Sequence, residues 1–178
     1  MYLGPTINLF KYYKTLADKS IAQVPEEFIH QQINSSSNSI AILVKHMAGN
    51  MISRFTDFQT SDGEKTWRNR ETEFENSLKT KAEMSAYWEI GWSTLFDAIS
   101  PLEETDLSKI VYIRNEGHTI LEAMQRQLGH YAYHVGQIVY LAKHFQNKDW
   151  EYLSIRPGES ESFFKEKMEK GRRRFRGL

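Results

Sequence analysis

The sequence predicts an all-α fold, a four-helix bundle with long crossover loops and a docked C-terminal tail, and three observations predict it. Four long segments repeat their apolar residues at i, i+3, i+4 and i+7, the spacing of an amphipathic helix. All four prolines fall outside those segments. At least two of the connections are long, as in bundles whose chain crosses from one end to the other.

The first segment, residues 6–22, places Phe10, Tyr13, Leu16, Ala17 and Ile21 on one side, and Pro25 follows its end. The connector VPEEFIHQQINSSSNS offers serine N-caps to a second helix over 37–57, whose stripe is Ile40, Leu43, Val44, Met47, Met51 and Phe55. QTSDGEKTWRNRE has the Asp-Gly pair and polarity of an exposed loop, with Trp67 expected to pack back on the body. A third helix over 72–99 turns Leu78, Met84, Trp88, Trp92, Leu95 and Ile99 inward and stops at Pro101. IVYIRNEGH, β-branched and aromatic ahead of a glycine, predicts a short extended piece or a two-strand turn. Thr119 and Glu122 form a capping box for a fourth helix that runs to about Phe145. The remaining tail holds Trp150, Tyr152, Ile155, Phe163 and Phe164, enough apolar surface to dock, and its basic end, 171–178, is expected to fray.

With 178 residues, 40% of them hydrophobic, the chain predicts one domain over 1–170. Basic and acidic residues balance at 23 each, so no overall field attracts nucleic acid or an anionic membrane. GRRRFR is a local basic patch without a recognised reading motif, and no nucleic-acid partner is expected. The absence of cysteine excludes disulfides, thiolate metal sites and a cysteine nucleophile, and fits a reducing compartment. No secretory leader and no apolar run near the length of a membrane span is found, so a soluble, cytoplasmic protein is expected.

Chemistry enters with the stretch GHYAYHVGQIVYLAKHF. His130 and His134, four residues apart, lie on one flank of the stripe formed by Met124, Leu128, Tyr131, Val135, Ile138 and Ala142, displaced from its centre by roughly 110° and roughly 70°. That spacing sets their Cβ atoms about 5–6 Å apart and lets two imidazoles converge on one metal ion. HxxxH also occurs by chance, so a third ligand decides the matter. His46 is the best candidate, on a line with Ile42, Gly49, Asn50 and Ser53 whose small and polar side chains suit a groove between helices. The competing reading is a surface histidine. His30 lies in the connector, His118 precedes the last helix, and His144 sits about 15 Å beyond His134 by helical rise, so these three compete less well.

LVKHMAGN, DGEKTWRNRETEF and AMQRQLGHYAYHVGQIVYLAKH together resemble the DinB superfamily, in its branch of small bacterial proteins of unknown function, over nearly the whole chain. The resemblance implies a four-helix bundle, often a homodimer, in which His46, His130 and His134 hold a divalent metal ion, nickel or zinc. The chain departs from its branch at SIRPGESESFF, where the usual SIPRGxSxxFN has its Pro-Arg order reversed and its Asn replaced. Related members are transferases or isomerases that use low-molecular-weight thiols such as bacillithiol. A metal-dependent thiol S-transferase acting on a small electrophilic substrate is therefore the implied activity, with a non-catalytic, stress-associated metal- or ligand-binding bundle as its rival. No Glu sits inside the HxxxH, which disfavours the HExxH hydrolases. Asn50 and Gln137 are candidates to orient ligands or substrate, against a reading as polar filling. Arg68 and Arg70 are candidates for an anion but read more simply as salt-bridged to Glu71 and Glu73.

Overall fold

The computed structural model describes residues 2–172. It is mainly helical: α1 (Leu3–Gln23), α2 (Ile40–Phe55), α3 (Lys81–Ile99), α4 (Ile120–Gln146) and α5 (Ser160–Glu169), with a two-stranded antiparallel sheet of β1 (Ile110–Ile113) and β2 (Glu116–Thr119) before α4. The most extensive helix contacts are α2 on α3 and α1 on α4, and α2 also meets α4. Phe10, Met47, Met51, Trp92, Leu95, Tyr131 and Ile138 lie fully buried between them. Among the described residues no helix is long and apolar enough to cross a membrane.

The N-terminal helix starts earlier than its apolar pattern, at Leu3, because Glu104 reaches over from a 3-10 turn and accepts from the free N–H groups of Tyr2 and Leu3. Pro5 is harmless there, since the first turn needs no N–H from it. The serine cluster does supply the cap of α2: Ser39 Oγ accepts from Ile42 N at 3.2 Å. Thr119 and Glu122 close their capping box at the start of α4.

The third helix begins at Lys81 rather than near residue 72. Its cap is a second capping box, Thr80 with Glu83, that the apolar pattern did not reveal. Upstream, Glu71–Phe74 makes a single 3-10 turn, and Lys45 Nζ takes the carbonyls of Thr72 and Glu75 that a continuous helix would use internally. Trp67 does not anchor this loop; the residue is 58% exposed. Arg68 anchors it instead, with a side chain almost wholly buried.

The extended piece is a hairpin, with Ile113 opposite Glu116 across a tip of Arg114 and Asn115, both at positive φ (56° and 61°), as a tight two-residue turn requires. Asp62 holds that tip by accepting from the N–H groups of Arg114 (2.9 Å) and Asn115 (2.7 Å), and Gly63 N donates to Tyr112 O at 2.8 Å. The connection after α2 is thereby tied to the hairpin.

The tail docks only in part. Trp150 is buried and Leu153 packs on the core, but α5 buries none of its residues, and Phe164 and Met168 are largely exposed. The basic end expected over 171–178 lies, from residue 173 on, outside the described residues.

Candidate metal centre

His46 projects from the middle of α2, and its whole line is buried: Ile42, Asn50 and Ser53 face the interior with it. His130 and His134, one turn apart on α4, meet it from the opposite side. His130 Nε2 lies 3.4 Å from His46 Nε2 and 3.0 Å from His134 Nε2, and the three ligand atoms fall within 4.8 Å of one another. The three histidines are close enough together to bind a metal ion. The other histidines stand apart. His30 contacts Asn76 and the carbonyl of Lys79, His118 is on β2, and His144 is exposed near the end of α4.

The outer ring nitrogens fix which atom each imidazole offers. His46 Nδ1 is 2.9 Å from Glu73 Oε2, and a carboxylate can only accept, so Nδ1 carries the hydrogen and Nε2 presents a lone pair inward. His134 Nδ1 is 2.7 Å from Gln137 Oε1, with the same consequence. Gln137 is held in that orientation by donating its amide to the Tyr133 hydroxyl oxygen at 3.2 Å. Two lone pairs therefore face His130 Nε2, which can supply one hydrogen at most. At least one is left without a donor, and a cation meets that need. A first-row divalent ion bonded at about 2.0–2.1 Å brings ligating nitrogens to about 3–3.5 Å from each other, in keeping with the two shorter separations.

Burial, the neighbouring rings of His134 and His46, and the charges of Arg54 and Arg68 pull the His130 imidazole down to about 3. Burial likewise lowers His134, against the hydrogen bond it donates to Gln137. Both rings therefore stay neutral with lone pairs available at ordinary pH.

Glu73 is the residue that spacing in the sequence does not reveal as part of this centre. It comes from the 3-10 turn between α2 and α3, 27 positions from His46, in a loop without periodicity. Arg68 grips both of its oxygens, Nε to Oε1 at 2.8 Å and Nη2 to Oε2 at 3.0 Å. Burial pushes the Glu73 carboxyl up, but the bonds from His46 and Arg68 and the charge of Arg68 hold it below the usual carboxylate range. Gly49 makes room for it, since a Cβ at that position would stand 2.6 Å from Glu73 Oε1. Phe74 stacks on the His46 ring with centroids 5.2 Å apart. Arg68 thus pairs with Glu73, as the simpler reading of the loop expects, whereas Arg70 lies over the Phe74 ring.

Asn50 Oδ1 accepts from the buried Tyr131 hydroxyl at 3.0 Å across the α2–α4 contact. Tyr131 belongs to the core as its position in the stripe predicts, and Tyr133 is exposed. Beside His46 and His130 opens a cavity of about 260 Å³ that Asn50 also lines.

A family model described as "Protein of unknown function (DUF1572)" matches residues 1–159. No curated protein and no solved structure matches the chain.

Proposed function

This chain belongs to the DUF1572 family, whose function is unknown, and from that starting point we propose that it is a divalent-metal-dependent enzyme built as a DinB-like four-helix bundle. His46, His130 and His134 would hold nickel or zinc. The observation that carries this reading is the convergence of three Nε2 atoms from two helices, two of them with their Nδ1 hydrogens committed to Glu73 and Gln137. A divalent ion held by three neutral imidazoles keeps its full charge and supplies Lewis acidity that favours the anionic form of a water or thiol.

The chain's own residues prepare the site for it. Glu73 and Gln137 fix the two outer rings, Arg68 and Gly49 fix Glu73, and Phe74 covers one face of His46. Among the described residues no carboxylate lines the cavity as a general base, which suits transfer of a thiol that is already acidic better than hydrolysis by an activated water. The reaction class proposed is accordingly S-transfer from a bacillithiol-type thiol to a small electrophile. Elemental analysis of protein purified without chelator should give one equivalent of nickel or zinc, lost in His130→Ala with helicity retained. The loaded protein should then accelerate thiol addition to a model electrophile. Full metal content in His130→Ala would remove the site; one bound metal without acceleration would leave a binding protein in place of an enzyme.

A further inference from the structure

The cavity beside His46 and His130 has a composition that metal binding does not explain. Five guanidinium groups line it, from Arg54, Arg68, Arg70, Arg114 and Arg126. Among the described residues two carboxylates answer them. Glu64 lies 3.1 Å from Arg54, 3.5 Å from Arg68 and 2.9 Å from Arg114, and Glu73 takes the bidentate pair from Arg68. Arg70 and Arg126 meet no carboxylate among the described residues. Surplus positive charge at the rim of a cavity raises the local potential and attracts an anion into it.

A second, independent feature lies in the same wall. Gln127 is 3% exposed and lines the cavity, yet its side-chain carbonyl finds no donor. Arg54 Nε is likewise shielded from solvent without a hydrogen bond, and Arg68 Nη1 has only the 3.5 Å ion pair with Glu64 Oε1. Buried polar atoms left unpaired cost free energy, and here a donor and an acceptor belong to residues that line one cavity. Their complement is a ligand with several acceptor oxygens and one hydroxyl.

We propose that this cavity is an oxyanion-binding site for a small, multiply charged molecule that carries a hydroxyl, either a phosphate or a hydroxycarboxylate. Guanidinium groups match both by paired N–H···O bonds. Gln127 accepts from the hydroxyl, and Arg70 and Arg126, at the exposed rim, neutralise the charge. The anion would lie next to His46 and His130, where the electrophile of the proposed transfer has to sit. The site does not need the metal.

Titration calorimetry and thermal melting of the full chain, after chelator treatment, test this with inorganic phosphate and malate as separate probes and sodium chloride at equal ionic strength as control. At least one probe should bind and raise the melting temperature above the chloride control, and which one does so identifies the ligand as phosphoryl or carboxylate. Arg126→Ala and Arg70→Ala, both at exposed positions, should each weaken that probe by about tenfold or more while melting like the parent chain in chloride. Binding of neither probe beyond chloride, or full affinity in both variants, would overturn the proposal. Metal content is read separately: a chain that binds phosphate but no metal refutes the metal centre alone, and one that binds metal but neither anion refutes this site alone.

Discussion

Glu73 decides how the centre is held at the scale of single residues. Because its carboxylate orients His46 and is itself fixed by Arg68, Glu73→Ala should lower metal affinity by about 10–100-fold with an unchanged far-ultraviolet dichroism spectrum, as measured by competition with a chelating dye. Gly49→Ala tests the same contact from the other side. Alanine favours a helix by about 1 kcal/mol, yet its methyl would fall 2.6 Å from Glu73 Oε1 and displace the carboxylate, so metal affinity should drop although helix content does not. An affinity equal to the parent's in both variants would show that Glu73 plays no part. The shared flank of His130, His134 and Gln137 was legible in the sequence because helical periodicity converts spacing into direction, whereas His46, offset from its own apolar stripe, stands out only by elimination and by the resemblance. Glu73, Arg54, Arg114 and Gln127 were not legible. Two of them, Glu73 and Arg114, come from a loop turn and a hairpin tip whose place depends on long-range contacts, and Arg54 and Gln127 look like ordinary polar residues until a cavity gives them a common focus.

At the scale of elements, glycines report which helix faces are in contact. Gly91 of α3 packs against α2, where a Cβ would meet Ala48 Cα at 2.8 Å, so Gly91→Ala should force the two helices apart and cost about 1–3 kcal/mol in denaturant unfolding. Gly129 of α4 has nothing within 4 Å, and Gly129→Ala should add about 0.5–1 kcal/mol. The hairpin lock has a pH signature. Partial burial would raise the Asp62 carboxyl, but the N–H groups of Asn115, Glu64 and Arg114 hold it below the usual range. Since its folded pKa lies below its unfolded one, the lock stabilises the chain above the ordinary carboxyl value of about 3.9 and is lost as pH falls through the depressed value. The melting-temperature gap between the parent and Asp62→Ala should therefore close below about pH 4; a gap that stays constant there would mean the lock contributes nothing. The start of α3 was misread for a physical reason. Apolar residues such as Leu78 extend the stripe upstream, but Lys45 takes the carbonyls of Thr72 and Glu75, and a tertiary contact of that kind leaves no local pattern.

For the whole molecule, a metal at this centre would join α2 to α4, helices separated in the chain by α3 and the hairpin. Nickel or zinc at a hundred times its dissociation constant should stabilise the parent by about 2.7 kcal/mol, seen as a rise in melting temperature that His130→Ala lacks. The helical architecture was readable because its apolar stripes are long, whereas the partly docked tail was not, since Phe163, Phe164 and Met168 are apolar in type but lie on a helix that touches little. The connection that carries Asp62, Glu64, Arg68, Arg70 and Glu73 has a consequence for how such a protein could diversify. Both carboxylates that face the cavity's guanidinium groups, Glu64 and Glu73, and two of those five groups, Arg68 and Arg70, are supplied by this strap, while Arg54, Arg114 and Arg126 come from α2, the hairpin and α4. Grafting a different strap between α2 and α3 would retune what the chamber admits, provided that the clasp of Asp62 on the hairpin tip is kept.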